Sequence, residues 1–385
     1  MFSRRTEWSL EPNRLTLAHN EALSSGKKLI DLTISNPTRT ELEYDESAIL
    51  NALSNQQSLD YDPQPKGLGS AREAVARYYT SPIDPESLIL TTSTSEGYSF
   101  VFRLLCNPGD EILVPKPSYP LFDFLAELQD VNLVPYSLIY DHGWQIDFHS
   151  LENMLTPKSR GIVLVHPNNP TGSYISAQER QNLNELCRRH QLALIVDEVF
   201  LDYAHDGKHM PSFAKNGDAL TFTLSGISKI SALPQMKLAW IAVSGPAQEV
   251  ASAIERLEVI ADTYLSLNAP IQLAATVLLD QRKTIQPQLM NRVRANLVEL
   301  DHQLSAQKSC SRLEVQGGWY AVLRIPVIRS DEDFATDLLR RSGVLVHPGH
   351  FYDFPVDGHL ILSLIAIEAE FRNGIAAVLE CGNKP

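Results

Sequence analysis

The chain is 385 residues long, 44% of them apolar and 21% charged, which is ordinary globular usage and enough material for two buried core units. Its 46 acidic residues against 33 Lys and Arg give a formal charge of -13, and no basic tract stands out, so nucleic acid and anionic membrane surfaces are poor candidates as partners. A small-molecule role is what remains.

Taken in order, the first ten residues carry Arg4 and Arg5 but continue into Glu7, Glu11 and Asn13 rather than the apolar stretch a secretory leader needs, so export is not expected. Residues 1–45 lack any strand–helix rhythm and are expected to pack with the C-terminal unit or with a second copy of the chain. From about residue 70 to 245, apolar runs alternate with helical patterns, the signature of parallel βαβ units. Ser70-Ala-Arg-Glu73 and Ser176-Ala-Gln-Glu179 read as capping boxes that open helices running through Tyr79 and His190. Another helix is expected from about Glu96 to Cys106, stopped by Asn107-Pro108-Gly109. The runs Glu111 to Pro115, Gly161 to His166, Leu192 to Val196 and Leu220 to Leu224 are nearly continuous in apolar residues, as in a sheet covered on both faces.

After about residue 275 the pattern changes to a long polar helix, Thr284 to Ala306, and then to shorter strands around Gly318 to Ile325 and Leu360 to Leu364. This predicts a smaller α+β unit, and a division into residues 1–45, 46–274 and 275–385. The apolar run Leu360 to Ile367 is far short of the roughly 20 residues that cross a membrane. Cys106, Cys187, Cys310 and Cys381 have no metal-ligand spacing and read as reduced thiols of a cytoplasmic protein.

Four polar segments follow the apolar runs, where open α/β sheets bind ligands, at the carboxyl ends of their strands. They are Ser93-Thr94-Ser95, Asn168-Asn169-Pro170-Thr171-Gly172, Asp197-Glu198-Val199-Phe200 and Ser225-Gly226-Ile227-Ser228-Lys229. A hydroxyl-rich helix start is a ready anion site. Asp197 closes an apolar strand, where a carboxylate is costly without a cationic partner, although capping the next turn also explains an Asp there. Asn169 either aims an amide into a site or only makes a turn. Lys229 fits imine chemistry if its surroundings lower its pKa; otherwise it is a solvated loop lysine.

Together these segments resemble the class I/II aminotransferases, fold-type I enzymes that use pyridoxal 5'-phosphate (PLP), and the resemblance runs from about Ile30 to the last helix. Gly226, Ile227, Ser228, Lys229, Leu238 and Ala239 match the family's lysine signature, while Lys237 stands where an Arg is expected and Gln235 where a small residue is usual. The resemblance implies an α/β fold with a mostly parallel sheet in a large domain and a smaller α+β domain formed by the chain ends. It implies that Lys229 is the Schiff-base lysine and catalytic base, that Asp197 bonds the pyridine nitrogen and that Asn169 donates to the phenolic oxygen. Phe200 replaces a tyrosine that would help Asn169. Tyr119 matches the residue stacked on the ring; the resemblance puts the phosphate on Ser93, Thr94 and Ser95, Ser93 standing where a Gly is common, with Lys237 in place of the usual Arg and Ser228 compensating for a serine missing at Gly226.

By the same resemblance Tyr61, with Ser266 and Asn268, reaches across a homodimer interface into the neighbour's site. Aligning His359 to Leu364 with the strand that carries the family's carboxylate-binding Arg puts Ile361 at that position, which predicts an apolar pocket wall there. Asn36 matches the N-terminal loop that lines the substrate pocket, and Arg39, His350 and Tyr352 are candidate carboxylate partners. The implied activity is amino transfer between an amino acid or amine and a keto acid. The alternatives are a PLP-dependent lyase, cyclase or hydroxylase acting on an amino acid, and a PLP-binding sensor without turnover.

Overall fold

The structure is a computed structural model that describes residues 1–120 and 122–382. An eight-stranded sheet forms its centre, in the spatial order Leu88–Thr91, Ala239–Ser244, Thr221–Gly226, Ala193–Asp197, Ser159–Val165, Glu111–Lys116, Asn132–Tyr140 and Trp144–Ile146. Six strands point the same way. Ala239–Ser244 runs against both of its neighbours, and Trp144–Ile146 runs against Asn132–Tyr140. Central strands are mostly apolar because both faces are covered. Ile112, Val114, Val163, Val165, Ala193 and Ile195 join one core layer, while Leu113, Ile162, Leu164, Leu194 and Val196 join another on the opposite face.

The expected strands are all present, each within two residues of its expected ends. The Ser176 capping box is also present: the Ser176 hydroxyl accepts from the Glu179 amide and the Glu179 carboxylate accepts from the Ser176 amide, opening the helix Ala177–His190. The Ser70 box is not. That helix spans Gly69–Tyr78, preceded by Leu68 without a side-chain cap, so Ser70 already lies inside the first turn.

A second core gathers the chain ends. Leu15, Ala18 and Leu32 pack with Phe334, Leu338, Leu360 and Phe371, and Ile30–Asp31 pairs in parallel with Val344–Leu345. Here the four-stranded antiparallel sheet has the order Ser311–Arg312, Tyr320–Arg324, His359–Ser363, His347–Pro348. The helix Arg282–Ser305 buries Ile285, Leu289 and Val293 in this core, whereas Ile271 to Leu279 pack on the large sheet's side with Leu88 and Trp240. Among the described residues no helix is long and apolar enough to cross a membrane.

Candidate active site

A cavity of about 380 Å³ opens where the two units meet, over the carboxyl edge of the large sheet. Eight separate chain segments line it. Thr94 and Ser95 come from the first turn of the helix Thr94–Leu105, Asn169 follows Ser159–Val165, Asp197 ends its strand, and Ser228 and Lys229 follow Thr221–Gly226. Tyr119, Pro120 and Phe122 follow Glu111–Lys116. Ser35, Tyr320, His347, Phe351 and Tyr352 close the cavity from the small-unit side.

Backbone contacts fix the lysine turn. The strand pair Gly226 and Ala239 is so close that a Cβ on Gly226 would stand 2.9 Å from that of Ala239, and the Ile227 amide donates to Leu238 across the same junction. The buried Tyr203 hydroxyl donates to the Lys229 carbonyl at 2.6 Å, and Lys229 Nζ reaches the Ser35 carbonyl at 3.3 Å. The ammonium also lies 5.1 Å from the Trp319 ring and 5.8 Å from the Phe200 ring. Enclosure by these groups lowers the Lys229 pKa to about 8, against the opposing pull of the Asp197 carboxylate. Desolvation pushes Asp197 up to about 6, although the Val199 amide at 3.1 Å, the Tyr98 hydroxyl at 3.3 Å and Lys229 all favour its charged form. Asn169 is buried, and its side-chain oxygen has no hydrogen-bond partner among the described residues. The turn that presents it needs Gly172, whose φ is +69° and whose missing Cβ would lie 2.5 Å from the Gly317 carbonyl.

Of the residues singled out in the sequence, Thr94, Ser95, Tyr119, Asn169, Asp197, Ser228 and Lys229 thus share one cavity, and Tyr352 joins them. Ser93 does not line it: this residue is the helix N-cap, its hydroxyl accepting from the Glu96 amide at 3.2 Å. Asn36 is exposed and spends its carboxamide on Thr38, while its neighbour Ser35 takes the wall position. Arg39, His350 and Lys237 are exposed and are not on the wall. Ile361 is 1% exposed, packed in the small-unit core, so the expected pocket wall at this position is corrected to a core position behind the cavity. Tyr61, 83% exposed, lies with Ser266 and Asn268 along a separate groove of about 720 Å³ between residues 57–70 and 261–273.

Several cavity groups had no signal in the sequence. Ser35 acts through its backbone carbonyl, Tyr320 and His347 come from elements far apart in the chain, and Tyr98 lies behind the wall, where its hydroxyl donates to Asp197. Tyr98 alone carried a hint, four residues after Thr94 and so on the same side of the helix.

A half-buried amine facing a half-buried carboxylate and a hydroxylated helix start, at the carboxyl edge of a mostly parallel sheet, defines an α/β enzyme of the fold-type I class. The profile of the family "Aminotransferase class I and II" matches residues 27–367, and the chain belongs to that family. It is 29% identical over 355 residues to the glutamate-pyruvate aminotransferase AlaA of Haemophilus influenzae, covering 89% of this chain and 88% of that protein. To the alanine aminotransferase of Mycobacterium tuberculosis it is 30% identical over 373 residues, covering 93% and 85%. Among solved structures, an aminotransferase from Escherichia coli superposes with a TM-score of 0.86 at 25% identity, covering 100% and 98% of the two chains. The Pyrococcus furiosus alanine aminotransferase shares the fold with a TM-score of 0.89 at 23% identity over all of both chains. The protein is an aminotransferase, and its central sheet and antiparallel small sheet are those of the fold-type I members.

Proposed function

We propose that this cavity binds PLP through Lys229 and moves an amino group between an amino acid and a keto acid. The observation that carries the reading is the convergence of Lys229, Asp197, Asn169 and the Thr94–Ser95 helix start on one cavity. The residues fit the group. Asp197 is a desolvated carboxylate that a protonated ring nitrogen would partner, and Asn169, on the same wall, would turn its carboxamide N–H to a ring oxygen. Thr94, Ser95 and Ser228 offer hydroxyls, and the helix Thr94–Leu105 its N-terminus, to a phosphate. Tyr119 supplies an aromatic face.

When bound, PLP supplies a ring that draws in the electron pair left at the substrate's Cα. The protein does the rest. Asp197 holds the proton on the ring nitrogen. Lys229, lowered to about 8, is available as a neutral base near physiological pH and carries the proton away from Cα, its backbone held by Tyr203. Phe122, Phe351 and Tyr352 keep bulk water from the reacting bonds. Borohydride reduction of the holoenzyme followed by peptide mapping should place the cofactor on Lys229. Cofactor on any other lysine would overturn the assignment.

We place Lys237 at the outer edge of the phosphate subsite, because Leu238 bonds the lysine turn and Ala239 pairs with both Gly226 and Thr91. A lysine there acts as a mobile point charge. The groove with Tyr61, Ser266 and Asn268 is where a second copy would dock, which supports a homodimer with shared sites. Gel filtration addresses both proposals. Lys237→Ala should elute at twice the 42.9 kDa chain mass but bleached of PLP, while the wild type stays yellow. A PLP-retaining Lys237→Ala variant would remove the lysine from the phosphate subsite, and a monomer would remove Tyr61 from the site.

A further inference from the structure

Amino acids and keto acids both carry a carboxylate, and a carboxylate taken out of water requires a charged or strongly hydrogen-bonding partner. Among the described residues lining the cavity there is no arginine, and Lys229 is committed to the reaction. The remaining basic side chain on the wall is His347. Its position is defined by the strand His347–Pro348, where it is the register partner of Ile361. Register partners in antiparallel strands project side by side on one face, so the imidazole stands beside the side chain of Ile361 and reaches the cavity that Ile361 does not. Nδ1 lies 3.2 Å from the hydroxyl of Tyr352, itself on the wall, and the ring packs against those of Phe351 and Tyr352. With Nδ1 engaged, Nε2 is the ring's remaining polar atom.

We propose that His347, oriented by Tyr352, anchors the carboxylate of both substrates and takes up a proton from solvent as it does so. The inference rests on the aminotransferase reading, since only that reading requires a carboxylate to be held. Burial keeps the free imidazole below its ordinary pKa, opposed by Asp31 on the strand that pairs with Val344–Leu345. The other titratable groups around it are the phenols of Tyr352, Tyr320 and Tyr119, Lys229 and Asp197 across the cavity, and His359 two residues along the paired strand. None but Asp31 supplies a resident negative charge that favours the imidazolium on its own element's side, so the proton arrives with the ligand. A bound carboxylate raises the pKa of its imidazole partner. Carboxylate affinity therefore falls by about tenfold per pH unit between the free and the complexed pKa of His347, whereas a neutral ligand escapes this dependence.

The test uses the PLP-loaded enzyme and two ligands that cannot react, 3-phenylpropionate and its uncharged amide. In calorimetry at pH 8 the carboxylate should bind wild type with proton uptake, read as a heat that varies with the buffer's ionisation enthalpy. His347→Gln should weaken the carboxylate by about tenfold or more and leave the amide within about threefold, since the lost contact is charge-assisted. Tyr352→Phe, which keeps the buried ring, should give a smaller loss of the same selectivity. In turnover, His347→Gln should raise KM for the amino donor and leave kcat nearly unchanged. Equal losses for carboxylate and amide, unchanged carboxylate binding in His347→Gln, or binding without proton uptake would each overturn the proposal. Failure of the aminotransferase reading is distinguishable: no amino acid would be converted, while carboxylate binding would still depend on His347.

Discussion

Asp197→Asn is expected to slow the amino-acid half-reaction by about a hundredfold or more while the protein still folds and carries its cofactor, since preorganised charge at a reacting centre is typically worth about 3 kcal/mol. The substitution is nearly isosteric. The asparagine Oδ1 still accepts from the Val199 amide, and the NH2 that replaces Oδ2 can donate to the Tyr98 hydroxyl instead of accepting from it. What it removes is the negative charge that keeps a ring nitrogen protonated. The same charge gives a pH signature. Asp197 is raised to about 6 by desolvation, so its charged form is present above that pH and is lost as pH falls through it. Cofactor uptake by the apoenzyme should accordingly weaken below about pH 6 in wild type and lose that dependence in Asp197→Asn. Lys229 titrates the other way: its neutral form grows as pH rises through about 8, so the rate of covalent attachment should climb over that window. Stopped-flow absorbance on the single half-reaction measures the main effect. A loss of less than about tenfold would make Asp197 a structural carboxylate and leave the ring nitrogen to another acid.

The large sheet was legible because its strands are buried on both faces, which leaves long apolar runs that a sequence displays openly. Residues that follow those runs, Asn169, Asp197 and Lys229, were legible for the same reason: the strand ends mark the site. Errors arose where local chemistry has two uses. Ser93 and Thr94 are adjacent hydroxyls at a helix start, yet the backbone turns between them, so the first caps the helix and the second faces the cavity. Asn36 and Ser35 differ likewise, the Asn being used up by its own turn and the Ser contributing a carbonyl that any residue could supply. Ser70 and Glu73 have the spacing of a capping box, but the helix starts one residue earlier at Gly69, so Ser70 never reaches the cap position. His347 had no local signature at all, because its relation to Lys229 exists only after the small unit folds against the large one.

Ile361→Arg is expected to destabilise the protein rather than to install a carboxylate grip. Ile361 sits in the middle of the strand His359–Ser363, between Val322 on one side and His347 on the other, in a core that also holds Leu360 and Leu362. At 1% exposure the site has no water to solvate a guanidinium. The carboxylate at the strand's start is already engaged: Asp331 accepts from the Gly358 and His359 amides. An unpaired buried charge costs several kcal/mol, and a larger side chain adds about 1–3 kcal/mol of overpacking. At roughly 1 °C per kcal/mol in a protein of this size, the apparent Tm should fall by about 5 °C or more, with a lower soluble yield. Ile361→Leu keeps volume and polarity and should cost less than about 1.5 kcal/mol, which separates the effect of charge from that of shape. Thermal melts of the three proteins, read beside the aspartate half-reaction, decide the matter. An arginine variant that melts with wild type and gains aspartate turnover would mean that the guanidinium threads past His347 into the cavity, and that this strand position faces the substrate after all.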